Sequence, residues 1–271
     1  MHITAEPLEN YAILHLRGEF DTYYCPALQK EVDELQRAGV NNVVLNLRLV
    51  KFINSTALGA IIKANKALVK AGGKLVIARP SSFCKDIIEK VGLDRVVPVF
   101  GSDEEAGQSF GAESVDAADN SESVFEEDES SVLFAPVDAG RIEHFVTQSK
   151  TQTNPVHGHS FGKKWSGVGR MSALDTEKLT FTWSGGSTDL DPFAMSQFLA
   201  IGTEWKVKFR LPLLQRGYCE AVMTISEIEE RSDGIKIVSS FSEVSAEIRD
   251  AIHQYSADLA YLKDELKKAT E

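Results

Sequence analysis

The stretch VVLNLRLVKFINSTALG, residues 43–59, decides how the first part of this chain folds. Its opening run, residues 43–47, is apolar with Asn46 as one polar interruption, which predicts a mostly buried strand. Residues 54–56, Asn-Ser-Thr, can cap a helix, because such side chains accept hydrogen bonds from the free N–H groups of a first helical turn. Apolar residues then recur at helical spacing until Gly72. The stretch therefore predicts a strand, a turn and a helix.

The segments on either side repeat this alternation. Residues 18–21, Gly-Glu-Phe-Asp, are predicted to turn away from the first strand. The other predicted elements are a strand over 12–16, a helix over 26–38, a strand over 74–78, a helix over 81–91 and a closing strand over 96–100. Strands that alternate with helices in short units predict an α/β layer domain, here residues 1–101.

Five motifs of this region resemble those of the STAS domain family, which contains the bacterial anti-sigma factor antagonists. They are Gly-Glu-Phe-Asp (18–21), Val-Val-Leu-Asn-Leu (43–47), Phe-Ile-Asn-Ser-Thr-Ala-Leu-Gly (52–59), Gly-Gly-Lys-Leu-Val-Ile-Ala (72–78) and Val-Gly-Leu-Asp-Arg-Val-Val (91–97). The resemblance implies a partner that is an anti-sigma factor or a related switch protein kinase. It also implies that this partner phosphorylates the residue at the position of Ser55, with Thr56 as a second possible acceptor.

The position of Ser55 has its own chemistry. A phosphate in the first turn of a helix meets free N–H groups and the positive end of the helix dipole, and it reverses the charge that a partner meets. The chain departs from the family pattern at Asn54, where Asp is usual, and at Ala57, where Gly is usual. Two interpretations stay open: Ser55 accepts a phosphate, or it only caps the helix. The predicted partner-binding residues are Asp21, Asn54, Ser55 and Thr56, and Asp21 has turn capping as its alternative.

The net charge of −11 is concentrated in one segment. Residues 102–131 contain eleven acidic residues and no Lys or Arg, which leaves 29 basic and 29 acidic residues elsewhere. Such a segment buries too little apolar surface to offset the entropy of ordering, and its like charges keep it extended. The sequence predicts an acidic disordered linker. The alternative is an acidic docking motif at 124–127, with Phe125 as its apolar anchor.

Residues 132–271 show the alternation of short antiparallel strands, which predicts a small β-barrel followed by a long helix. The order of elements over residues 160–260 resembles a PilZ domain. PilZ domains that bind cyclic di-GMP use Arg-x-x-x-Arg and Asp/Asn-x-Ser-x-x-Gly motifs. No two arginines of this chain are four residues apart, and the second motif would fall on Ala173, Asp175 and Lys178. Lys163, Lys164 and Arg170 remain as candidate phosphate contacts, but the sequence argues against cyclic di-GMP binding.

The last helix carries an apolar stripe with the spacing of a coiled coil. The stripe consists of Ile248, Ile252, Tyr255, Leu259, Leu262 and Leu266. It predicts self-association through this helix, and packing along the chain's own barrel is the alternative.

Several function classes are excluded by what the sequence lacks. Its apolar runs are too short for a membrane span, and its basic residues do not cluster with aromatic ones as a nucleic-acid surface requires. No nucleophile, phosphate-loop or metal-ligand pattern is present, so we expect no enzyme, no cofactor and no metal site. Gly167 and Gly169 are interpreted as turn glycines. Three widely separated cysteines fit a reducing cytoplasm.

Together these patterns predict a cytoplasmic bacterial signalling adaptor. Its STAS-like domain engages an anti-sigma factor or switch kinase, and its PilZ-like domain dimerises or recruits a second protein. The alternatives are a cyclic di-GMP receptor and a constitutive scaffold that is not phosphorylated.

Overall fold

The computed structural model describes residues 1–111, 130–138, 140–146, 161–162, 165–186 and 188–270. The chain divides into two compact units. The first consists of Met1–Glu126 together with Ala257–Glu271, and the second is Glu127–Ser256. The sequence predicts one domain over residues 132–271, whereas the contacts of the last residues, Ala257–Glu271, group them with the first unit.

The first unit contains a five-stranded sheet in the order β1-β2-β3-β4-β5. Strand β1 is antiparallel to β2, and all other neighbours are parallel. The strands are β1 His2–Pro7, β2 Ala12–Phe20, β3 Asn42–Ile53, β4 Lys74–Ala78 and β5 Val99–Phe100. The helices are α1 Cys25–Arg37, α2 Ser55–Lys70, α3 Ser82–Val91 and α4 Asp103–Gln108. The predicted α/β domain is confirmed.

Both faces of this sheet are apolar. On one face, Leu14, Leu45 and Ile77 are fully buried, and helices α1 to α3 connect the parallel strands in sequence order. Strand residues alternate between faces, so Ile13 and Val44 point the other way. There they form a separate cluster with Val76, Ala78 and Ala106 of α4. Strand β3 ends at Ile53 and helix α2 begins at Ser55, so the packed sheet holds the start of α2 in place.

Two details of the first unit differ from the sequence prediction. Strand β2 continues through Phe20 instead of turning at Gly18. Gly18 adopts φ +106°, and the pairing of β2 with β3 shifts by one residue after it. The irregularity is therefore a bulge within the strand and not its end. Strand β1 was not predicted. It lies at the sheet edge and is almost entirely exposed, so its sequence carries no apolar alternation.

Helix α4 lies where the acidic linker was predicted to begin. Ser102 caps it by accepting the Glu105 N–H at 3.1 Å, and Ala106 is buried against the sheet. The Asn46 amide donates hydrogen bonds of 2.6 and 2.9 Å to the two carboxylate oxygens of Asp103. The linker prediction is therefore wrong for residues 103–108. The rest of that segment, residues 112–129 with the 124–127 motif, lies outside the described residues.

The second unit contains a closed antiparallel barrel in the order β10-β11-β8-β7-β6-β9. Its strands are β6 Ser131–Pro136, β7 Gly167–Leu174, β8 Lys178–Trp183, β9 Glu204–Phe209, β10 Cys219–Arg231 and β11 Gly234–Glu243. Helices α5 Gly140–Phe145 and α6 Pro192–Leu199 lie between strands in sequence. The predicted barrel is confirmed.

Aromatic rings fill this barrel. The ring of Phe134 lies 5.3 Å from that of Phe181 and 5.7 Å from that of Trp205, centroid to centroid. Gly167 and Gly169 lie within β7 and not in a turn, so their interpretation as turn glycines is wrong. A Cβ on Gly169 would lie 2.6 Å from the ring of Phe181, so the glycine is needed for ring packing.

The last helix, α7, runs from Ala246 to Thr270. Its residues from Ala257 onward belong to the first unit, and we call residues 257–270 the C-terminal segment. Among the described residues, no helix is long and apolar enough to cross a membrane.

Candidate functional site

The start of α2 is organised by Asn54. Its side-chain oxygen accepts the Ala57 N–H at 2.9 Å, which makes Asn54 the N-cap and Ser55 the first helical residue. Such a cap stabilises a helix by about 1 kcal/mol. The capping role, which was one of the two interpretations of Ser55, is therefore filled by Asn54. The Ser55 hydroxyl is not needed for the cap.

Asp21 lies in a turn that is bonded to this cap. Its carboxylate accepts the Tyr23 N–H at 3.0 Å and so caps the short 3₁₀ helix Thr22–Tyr24. The Asn54 amide in turn donates to the Thr22 hydroxyl at 3.2 Å. The structure thus brings Asp21, Asn54, Ser55 and Thr56 together, and it gives Asp21 the capping role that was its alternative. Beside this turn, burial and then the Asp21 charge raise the pKa of the Cys25 thiol.

Ser55 is buried, whereas Thr56 is exposed. Only 7% of Ser55 is accessible, and its hydroxyl donates a 2.8 Å hydrogen bond to Oδ2 of Asp258. Asp258 belongs to the C-terminal segment. Its carboxylate therefore lies at the first residue of α2, where the positive end of the helix dipole favours an anion.

One further contact joins the C-terminal segment to α2, and one charge of α2 acts on the segment from a distance. A Cβ on Gly59 would lie 3.1 Å from the Tyr261 hydroxyl oxygen and 3.3 Å from the nearest ring carbon, so this ring rests on the glycine. Asp264 has a carboxyl pKa below its ordinary value, chiefly because Lys268 hydrogen-bonds to it, and Lys66 of α2 is near enough to contribute. The segment therefore contacts the N-terminal part of α2, at Ser55 and Gly59.

Comparison with known proteins places this site in a family. The sequence profile of the STAS domain matches residues 2–106. A protein of Thermotoga neapolitana, provisionally described as an anti-sigma factor antagonist, is 30% identical over 100 residues, which are 36% of this chain and 88% of that protein. The chain belongs to the STAS family.

One further relative and one solved structure are similar to part of this chain. The anti-sigma F factor antagonist of Paenibacillus polymyxa is 24% identical over 104 residues, which cover 38% of this chain and 89% of the relative. Among solved structures, a Thermotoga maritima protein, also provisionally described as an anti-sigma factor antagonist, is 24% identical. It covers 41% of this chain and 95% of its own, with a TM-score of 0.39.

Most of the apolar stripe of α7 is buried within the single chain. Ile252, Tyr255, Leu262 and Leu266 are at most 8% exposed within the single chain. Side chains buried in this way offer little surface to a second copy, and self-association through the helix stays a prediction. Ile248 and Leu259 are partly exposed.

The candidate phosphate contacts of the barrel do not form a site within the described residues. Lys163 and Lys164 lie outside them, and Arg170 is an exposed residue of β7. Within the part of the chain that the structure describes, no three His, Cys, Asp or Glu side chains are grouped as metal ligands.

Sequence reasoning missed the residues that cover Ser55. Asp258 and Tyr261 lie about 200 residues away from α2 along the chain, and both fall off the apolar stripe that drew attention to α7. The only local signal was Gly59, a glycine inside a helix, which indicates a close approach by another group.

Proposed function

We propose that this protein is a non-enzymatic signalling adaptor of the cytoplasm. Its STAS domain binds an anti-sigma factor or a related switch protein kinase, and phosphorylation of Ser55 releases that partner. The observation that supports this most directly is the position of Ser55, the first residue of α2, in a domain whose relatives are anti-sigma factor antagonists. Its hydroxyl is not used for the helix cap, which Asn54 supplies.

The phosphorylation step uses ATP bound by the partner kinase. The Ser55 oxygen attacks the γ-phosphorus, the bond from that phosphorus to the β–γ bridging oxygen breaks, and ADP leaves. The hydroxyl proton passes to a base of the kinase. The product carries a charge of about −1.5 to −2 on a surface that was neutral at this residue, so a partner surface matched to the hydroxyl is repelled.

The barrel is proposed to be a PilZ-like interaction domain that has lost cyclic di-GMP. Its closed antiparallel topology and the order of its elements support this, together with the missing arginine pair. The proposed function of the barrel is to bring a second protein to the STAS domain.

Partner capture with Ser55 variants tests the proposed function. The full chain, as wild type, Ser55→Ala, Ser55→Glu and Thr56→Glu, is immobilised and exposed to an extract of its native host, and the captured kinase is then titrated in purified form. We expect Ser55→Glu to weaken kinase binding at least about tenfold, since a charge there meets the partner surface, while Thr56→Glu changes it less. Equal binding of Ser55→Glu and wild type would contradict the proposal. Tight binding of cyclic di-GMP to the barrel would favour the receptor alternative instead.

A further inference from the structure

We propose that the face of α2 that carries Ser55 is a helix-docking surface, that the C-terminal segment of the same chain occupies it, and that this segment and a phosphate on Ser55 exclude each other. The docking itself is independent of any partner. The phosphate step rests on the proposed function, which it extends by adding a competitor that the chain supplies itself.

Two contacts define this docking surface. The Ser55 hydroxyl bonds the Asp258 carboxylate, and Gly59 lies under the Tyr261 ring. The contacts advance in the same direction along both helices, so the segment runs parallel to α2.

Two leucines of the segment provide its apolar side. Leu262 and Leu266, which are four residues apart, are 0% and 8% exposed. Residues four apart lie on one helical face, so the buried side of the segment carries both leucines together with Asp258.

The surface of α2 is shaped for such an occupant. Gly59 leaves the space in which the Tyr261 ring lies, and any side chain there would displace the ring. The Asp258 carboxylate lies at the N-terminus of α2, which is the position that a phosphate on Ser55 would take. The segment therefore presents its own anion where the phosphorylated protein would carry one.

Phosphorylation removes the basis of this docking. A phosphoserine no longer has the hydroxyl proton that bonds Asp258, and it brings its own negative charge against that carboxylate. Since Ser55 is only 7% exposed, the docked segment leaves no room for three phosphate oxygens. Conversely, a kinase reaches Ser55 only after the segment has left α2. The segment thus lowers the apparent affinity of any partner that needs this face, because that affinity is the intrinsic one multiplied by the fraction of time the segment is undocked.

Hydrogen exchange of the full chain tests the inference without any partner. Amide exchange of residues 257–270 is measured by mass spectrometry in wild type, in Ser55→Glu and in protein with phosphoserine incorporated at position 55. Thr56→Glu is the matched control, because Thr56 is the exposed neighbour. We expect the charge at residue 55 to speed exchange of the segment at least about tenfold, and Thr56→Glu to leave it at the wild-type rate. Unchanged protection of β3 would show that the domain stays folded.

A charge-reversal pair separates repulsion from general damage. In the double variant Ser55→Glu with Asp258→Lys, an ion pair replaces the repulsion, so we expect the segment to regain its protection. The inference is overturned if Ser55→Glu and phosphoserine leave the segment protected, if Thr56→Glu releases it equally, or if the double variant stays released. Because no kinase is present, such a result leaves the proposed partner switch untouched. Failure of the capture experiment likewise leaves the docking intact.

Discussion

The Ser55 hydroxyl donates a 2.8 Å hydrogen bond to the carboxylate of Asp258, a residue 203 positions further along the chain. This bond connects the first residue of α2 with the last helix. It buries the side chain that we propose as the phosphate acceptor. A hydrogen bond to a charged group contributes about 1.5–3 kcal/mol, so the contact is strong enough to bias the docking of the C-terminal segment.

The cap of α2 is expected to tolerate the residue that is usual in the family. Asn54→Ala removes the acceptor of the Ala57 N–H and should lower the free energy of unfolding of the STAS domain by about 1 kcal/mol. Asn54→Asp keeps the acceptor and adds a charge that the helix dipole favours, so stability should be equal or higher by about 0.3–1 kcal/mol. Urea denaturation followed by far-ultraviolet circular dichroism measures both. No loss in Asn54→Ala would show that the cap contributes little.

The hydrogen bonds between Asn46 and Asp103 should anchor α4 to the sheet. Asp103→Ala leaves the Asn46 amide, which is only 6% exposed, without its acceptors. We expect a loss of about 1–3 kcal/mol in the free energy of unfolding of the STAS domain. The matched control Glu104→Ala, at an exposed position of the same turn, should stay within about 0.5 kcal/mol of wild type. Similar values for the two variants would mean that α4 behaves as part of a linker.

The barrel should not accept a side chain at Gly169. A methyl group there would lie 2.6 Å from the Phe181 ring and 2.7 Å from the Thr182 carbonyl oxygen, so Gly169→Ala should destabilise the barrel by about 1–3 kcal/mol. Gly217→Ala is the control, because no atom lies within 4 Å of a Cβ at that position. The three tryptophans, Trp165, Trp183 and Trp205, all belong to the second unit, so their fluorescence reports its unfolding. Equal midpoints for both variants would contradict the packing argument.

Cys84 gives the STAS domain a dependence on alkaline pH. Burial raises the pKa of its thiol from 9.0 to about 11. The folded domain therefore holds this proton where the unfolded chain has lost it, so stability is full below pH 9 and falls by up to about 2–3 kcal/mol as the pH rises to 11. Calorimetry from pH 8 to 11 should show this loss in wild type and a smaller one in Cys84→Ala. Parallel curves for the two proteins would contradict it.

The sequence predicted what is local and missed what joins distant segments. The strand at 43–47, the cap at Asn54 and the helix that follows were predictable, because apolar periodicity and capping residues lie within a few positions of each other. Helix α4 was missed because its acidic composition is that of a solvated segment, and a single residue, Ala106, is buried. The contact between Ser55 and Asp258 has no local signature, and the apolar stripe of α7 fits a partner chain and the chain's own surface equally well.

The most direct test of the account is phosphosite mapping of the full chain isolated from its native host. Peptides that contain residues 52–63 are fragmented so that Ser55 and Thr56 are distinguished, and a variant with Ser55→Ala is processed in parallel. We predict phosphate on Ser55, none on Thr56, and loss of the modified peptide in the variant. Unmodified Ser55 in protein that is bound to its partners would contradict the switch and would leave a constitutive scaffold.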